Sequence, residues 1–152
     1  MTDQSLPPEN STEQERKASW MLLFFAWLIA VTSMLGSLFF SEVMGVTPCV
    51  LCWYQRIAMY PLVFILPMGM FPMDEKVAHF IIPLPILGGL VALYHVALTW
   101  GLIPENMQPC TQGIPCSETT IELLGFLTIP LMSLASFILI AGLLIRIIKR
   151  DS

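Results

Sequence analysis

The sequence predicts an all-α membrane protein, a four-transmembrane-helix up-down bundle with both termini cytoplasmic. Three observations carry this. Only 12% of the 152 residues are charged, whereas 56% are hydrophobic, and the mean hydropathy is +0.76. Four apolar runs are each long enough to cross the hydrocarbon layer, which takes about 20 helical residues. Apart from Arg56, Lys and Arg are confined to one of the connections and to the flanks of the outermost spans. A soluble domain this small exposes too much surface to manage with so few charges, which excludes an ordinary soluble enzyme and a disordered chain. A net charge of −4 with no basic cluster excludes nucleic acid as a partner. Membrane lipid is the surrounding that the composition calls for.

The spans follow from charge-free runs. The first covers residues 18–41, without a single charge. The second covers 49–71 and is interrupted only by Arg56. The third covers 78–101 and the fourth 123–145. Short connections between them imply up-down neighbours. Pro61, Pro67, Pro83, Pro85 and Pro130 fall inside spans and predict kinks in helices two, three and four. Residues 72–76 form the tight turn between spans two and three. The membrane domain is placed at 18–148, and the acidic tail at 1–17, with Asp3, Glu9, Glu13 and Glu15, is expected to be disordered. The first apolar run is too long for a signal peptide and has no convincing cleavage site, so it is read as a retained span.

Basic residues orient the bundle. Arg16 and Lys17 precede span one, Lys76 lies between spans two and three, and Arg146, Lys149 and Arg150 follow or close span four. The connections 42–48 and 102–122 contain no Lys or Arg. The positive-inside rule puts these two loops on the outer face.

All four cysteines fall on that face. Cys49 and Cys52 form a C-x-x-C where span two begins, and Cys110 and Cys116 form a C-x5-C in the second outer loop. Two structural disulfides in an oxidising compartment would be one reading. A zinc site drawing on both pairs would be another. The C-x-x-C ring is a poor clamp with reactive thiols, and a helix N-terminus favours a thiolate there. The loop between Cys110 and Cys116 is short, so closing it gains little chain entropy. Thiol–disulfide exchange is the reading that these spacings favour.

Two polar residues lie at similar depth near that face. Arg56 follows Cys52 by four residues, so both project from one helical face about 6 Å apart along the axis. A cation in a span marks a functional site that could stabilise a Cys52 thiolate or a reduced quinone oxygen. The alternative is snorkelling to the headgroups. His95 lies about 9 Å below the outer end of span three, where it could share a pocket with Arg56 or simply bond between helices. His79, Trp20, Trp53, Tyr54 and Trp100 fall at interfacial positions.

The stretch Pro48-Cys49-Val50-Leu51-Cys52-Trp53-Tyr54-Gln55-Arg56 resembles the active-site segment of the disulfide bond formation protein B/C family (DsbB and BdbC). Residues 35–42, the Pro109-Cys110 to Pro115-Cys116 segment and residues 125–130 agree with it. The close spacing of Cys110 and Cys116 resembles the Gram-positive BdbC type. The resemblance implies a four-helix enzyme of the bacterial plasma (inner) membrane, with its cysteines on the extracytoplasmic side. Such an enzyme reoxidises a thioredoxin-fold (DsbA/BdbD-like) thiol oxidase and reduces a quinone, either menaquinone or ubiquinone. It makes Cys49, Cys52, Cys110 and Cys116 catalytic, with Arg56 and His95 facing the quinone and no metal. On this path the partner attacks Cys110, Cys116 then attacks Cys49, and Cys52 delivers electrons to the quinone. The contrasting class is a non-catalytic membrane scaffold held by structural disulfides or zinc. A thiol reductant would need a cytoplasmic-side donor site, and a transporter would need a polar midplane cluster. The sequence offers neither.

Overall fold

The computed structural model describes residues 9–71, 76–103 and 128–151. Helix α1 (Glu9–Leu38) runs into a π-helical turn (Phe39–Val43), followed by α2 (Val50–Met70), α3 (Lys76–Ile81), α4 (Pro83–Thr99) and α5 (Ile129–Asp151). Four stretches are long and apolar enough to cross a membrane: Glu13–Val43, Val50–Met70, Lys76–Thr99 and Ile129–Arg150. Among the described residues there is no strand. The four spans pack as a ring, with α1 against α2 and α5, and α4 against the same two helices.

Spacing explains the packing. On α5 the buried residues Phe137, Ile140, Leu144 and Ile147 recur every three or four positions, as do Ser19, Leu23, Ala26 and Ala30 on α1. Lipid tails are as apolar as leucine, so the helices associate through close packing rather than the hydrophobic effect. Small residues make that packing possible. Gly88 of α4 sits directly against the Phe137 ring, where a Cβ would collide with Phe137 and crowd Ala58 of α2. Large side chains such as Phe25, Phe64, Met68, Phe80, Leu90 and Ile138 point outward, as a lipid-facing surface requires.

The prolines act in three different ways. Pro61 and Pro67 lie within α2, which continues through both. Pro67 has no N–H to offer the Val63 carbonyl four residues earlier, and the Trp27 indole N–H of α1 donates to that carbonyl instead, at 3.1 Å. Pro83 separates α3 from α4 at Ile82, and with Pro85 it occupies the first turn of α4, where a missing N–H costs nothing. Pro130 departs from the expected kink. It is the second residue of α5, whose first turn instead bonds Leu131 and Met132 N–H to the Thr128 carbonyl.

Two further boundaries differ from expectation. Residues 1–8 of the expected disordered tail lie outside the described residues, and the rest is helical from Glu9, where residues 13–17 are good helix formers and Glu13 pairs with Lys17 one turn on, at 2.7 Å. The first helix also passes Ser41 through the π-helical turn and stops only before Gly45, whose φ of 68° lies in the left-handed region. The 72–75 part of the expected tight turn and the greater part of the 102–122 loop lie outside the described residues.

Candidate functional site

The second span begins at a cysteine for a structural reason. Cys49 follows Pro48 in extended conformation (φ −73°, ψ 170°) and serves as the N-cap of α2. The Cys52 N–H, one of the unpaired donors of the first turn, points at Cys49 Sγ from 3.3 Å. The C-x-x-C spacing then returns Cys52 to the same side, and the two sulfurs lie 2.8 Å apart as free thiols. Cys49 is buried and Cys52 is half-buried. The two sulfurs are thus close enough to join, and Cys52 is the more open of the pair.

Helix α4 supplies the second component. His95 is 1% exposed, so its ring needs partners on both nitrogens. Nε2 lies 3.8 Å from Cys49 Sγ, and Nδ1 lies 3.2 Å from the Gln55 side-chain nitrogen on α2. His95 thus bonds between helices, one of its two expected readings, and also lies beside Cys49, which the sequence did not indicate.

Arg56 does not snorkel. Its Nε donates to Ser37 Oγ and its Nη2 to the Ser37 carbonyl, both at 2.8 Å. Ser37 lies where the α1 ladder gives way to the π-helical turn, and such a change of register releases carbonyls. The neighbouring Leu38 carbonyl is taken by the Ser41 hydroxyl. The guanidinium also sits 5.4 Å from the centre of the Trp53 ring. No carboxylate pairs with Arg56 among the described residues, so its positive charge is left to act on whatever lies beside it.

What lies beside it is a cavity of about 630 Å³ bounded by α1, α2 and α5. Cys52, Gln55, Arg56 and Ser37 form its polar end, and Met34, Phe40, Met59, Tyr60, Leu131 and Met132 contribute much of its apolar wall. Its size falls in the range of pockets that hold small organic ligands. Arg56 and His95 also meet, with Cys52, around a smaller adjoining pocket beneath the 46–48 loop. His95 does not line the larger cavity. Its ring is directed at Cys49 instead.

The structure thus brings together Cys49, Cys52, Arg56 and His95. Cys110 and Cys116 lie outside the described residues. Ser37 and Gln55 are additions that the sequence reasoning missed. Gln55 carried a usable signal, an amide inside an apolar span, whereas a lone serine such as Ser37 carries none. For a metal, the donor atoms of Cys49, Cys52 and His95 all lie within 4.8 Å of one another.

A family model described as "Disulfide bond formation protein DsbB" matches residues 16–147. The chain belongs to the DsbB family. Curated relatives agree with this. A "Probable disulfide formation protein" of Metapseudomonas resinovorans is 44% identical over 135 residues, covering 88% of this chain and 94% of its own. "Disulfide bond formation protein C" of Bacillus subtilis is 42% identical over 120 residues, covering 79% and 87%. "Probable disulfide formation protein C" of Halalkalibacterium halodurans is 40% identical over 119 residues, covering 78% and 87%. No solved structure matches. With its four apolar helices, this DsbB-family chain is a membrane disulfide-formation protein with oxidoreductase activity.

Proposed function

We propose that the chain oxidises an extracytoplasmic thioredoxin-fold thiol oxidase of the DsbA/BdbD kind and passes the electrons to a membrane quinone. The observation that carries this reading is the position of Cys52, which lies 2.8 Å from Cys49 on one side and on the wall of the 630 Å³ cavity on the other, with Arg56 beside it.

A quinone, when bound, accepts two electrons and two protons. The residues present suit it. The apolar wall matches a hydrophobic ring and tail, and the Arg56 charge, which no carboxylate pairs among the described residues, matches an oxygen that gains negative charge on reduction. Cys52 is the sulfur that gives up the electron pair. Cys49 then forms the S–S bond to Cys52, and each thiol has lost one proton and one electron. Arg56, held by Ser37 on α1, keeps its guanidinium at the cavity rather than in the headgroups. Upstream, the partner's thiolate opens the Cys110–Cys116 disulfide at Cys110, and freed Cys116 attacks Cys49 with Cys52 as the leaving thiolate. The basic flanks support an orientation with the cysteines on the extracytoplasmic side, and in this reading the membrane is the bacterial plasma membrane.

The test is a thiol count. Reduced, purified protein mixed with ubiquinone or menaquinone under anaerobic conditions should lose thiols in step with quinol formation, and Cys52→Ala should do neither. Thiols that persist in folded protein with both quinones would refute the proposal.

A second reading, the non-catalytic scaffold, has one observation in its favour, the convergence of Cys49, Cys52 and His95 as three metal donors. Stoichiometric zinc in protein whose thiols ignore quinones would establish it. Metal-free protein with quinone-reactive thiols would remove it.

A further inference from the structure

We infer that Gln55 and His95 form a positioning pair for Cys49, holding that sulfur ready as nucleophile and leaving group while Cys52 faces the cavity. The inference rests on the thiol–disulfide exchange proposed above, but not on the identity of the electron acceptor.

The argument begins with burial. A polar ring 1% exposed within an apolar span is costly unless both nitrogens are bonded. The group 3.2 Å from His95 Nδ1 is the Gln55 amide nitrogen, which carries only hydrogens. With the amide nitrogen turned to the ring, Gln55 donates and Nδ1 accepts, which leaves Nε2 as the ring nitrogen that carries its proton toward Cys49. That N–H faces Cys49 Sγ at 3.8 Å, and the Cys52 backbone N–H faces the same sulfur at 3.3 Å. Two N–H groups from two helices thus converge on one sulfur. Gln55 is itself 7% exposed, so the amide is held between α2 and α4 rather than free to turn to solvent.

The chemistry makes use of this asymmetry. When the mixed disulfide of Cys49 with an incoming thiol is resolved, the bond between them breaks and Cys49 leaves with the electron pair. Two N–H groups aimed at the sulfur stabilise the negative charge that builds on it as it leaves. When the Cys49–Cys52 disulfide re-forms, Cys49 Sγ supplies the electron pair of the new S–S bond. Two electrons and two protons pass through Cys52 and solvent to the acceptor, a quinone in the reading above. The other ionisable groups around Cys49 among the described residues are Cys52 and Arg56 on α2, and Tyr94, which packs on the same cluster from α4.

The experiment uses the full chain in detergent with Cys52, Cys110 and Cys116 changed to Ala, so that Cys49 is the lone thiol and the Cys52-position backbone N–H is retained. Alkylation by iodoacetamide is followed from pH 5 to 10. Adding His95→Leu or Gln55→Leu is expected to move the profile to higher pH and slow alkylation at pH 6 about three- to tenfold, the fold-change that the net contribution of one ordinary hydrogen bond, about 1 kcal/mol, corresponds to. His95→Gln, whose amide can still donate to the sulfur, should recover part of that loss. A protein retaining Cys52 alone serves as the comparison, and the same substitutions should slow its alkylation clearly less than that of Cys49, whose sulfur is the one that the His95 ring faces. Profiles that coincide in all variants, or an equal slowing of Cys49 and Cys52, would overturn the inference. If His95→Leu does not fold, Gln55→Leu and His95→Gln decide it by the same criteria. Failure here would leave the thiol count with quinone untouched, so the two proposals fall separately.

Discussion

The two ends of the bundle are held by different forces. Toward the 72–75 turn, away from the thiols, α1, α2, α4 and α5 meet through small residues and apolar knobs, with Ala78 of α3, Leu66 of α2, Leu144 of α5 and Ile147 of α5 all at or below 1% exposure. At the end carrying the thiols, hydrogen bonds between helices are added to an apolar cluster that includes Leu51 and Leu98: Arg56 to Ser37 between α2 and α1, Gln55 to His95 between α2 and α4, and Ser33 to Ser136 between α1 and α5 at 3.0 Å. Packing alone can hold helices together in lipid, but it specifies rotation poorly. Hydrogen bonds with defined donors and acceptors specify it well. The chain places those bonds where atoms must be positioned for chemistry.

Substitutions can break this division. The largest expected effect is at Arg56. Arg56→Gln removes a charge-assisted contact worth about 1.5–3 kcal/mol, so the apparent affinity for a quinone should fall about 10- to 100-fold while partner binding changes little. Steady-state kinetics with both substrates varied would show it, and an unaltered apparent KM for quinone would remove Arg56 from the site. At the other extreme of the division stands Gly88→Val, which drives a branched side chain into Phe137 and Ala58. It should cost about 1–3 kcal/mol of stability in detergent, read by thermal or denaturant unfolding, with the thiols of the folded fraction still reactive. The smallest effect is expected for Trp27→Phe, which keeps the ring but leaves the Val63 carbonyl without the indole N–H. About 1 kcal/mol should be lost, and a Pro67→Ala background, which restores a backbone donor, should reduce that loss. Absence of any such rescue would mean that the Trp27 bond does not compensate for the proline.

Much of the frame was legible from hydropathy because a span is a property of one segment. The C-x-x-C at the start of the second span and the charge at Arg56 were legible for the same reason. The onset of α1 at Glu9 was hidden because a polar segment continuous with a long helix inherits its nucleus, so helix can extend without apolar residues. Pro130 was misjudged because the onset of α5 at Ile129 makes it a helix starter rather than an interruption. Relations between helices were less accessible. The depth of His95 could be counted along its helix, but its direction toward Cys49 depends on the rotation of α4 against α2, which Gln55 helps to define. Ser37 gained its role only because the π-helical turn frees a carbonyl beside it, and nothing in the residue type announces that.

The central claim is that Cys49 and Cys52 are the pair that faces the quinone. The most direct test removes the other pair. Cys110→Ala/Cys116→Ala protein, fully reduced and mixed anaerobically with excess quinone, should form one Cys49–Cys52 disulfide and one quinol per chain, as read by mass spectrometry and absorbance. Persistence of both thiols in that folded variant, with oxidation restored only when Cys110 and Cys116 are present, would contradict the account.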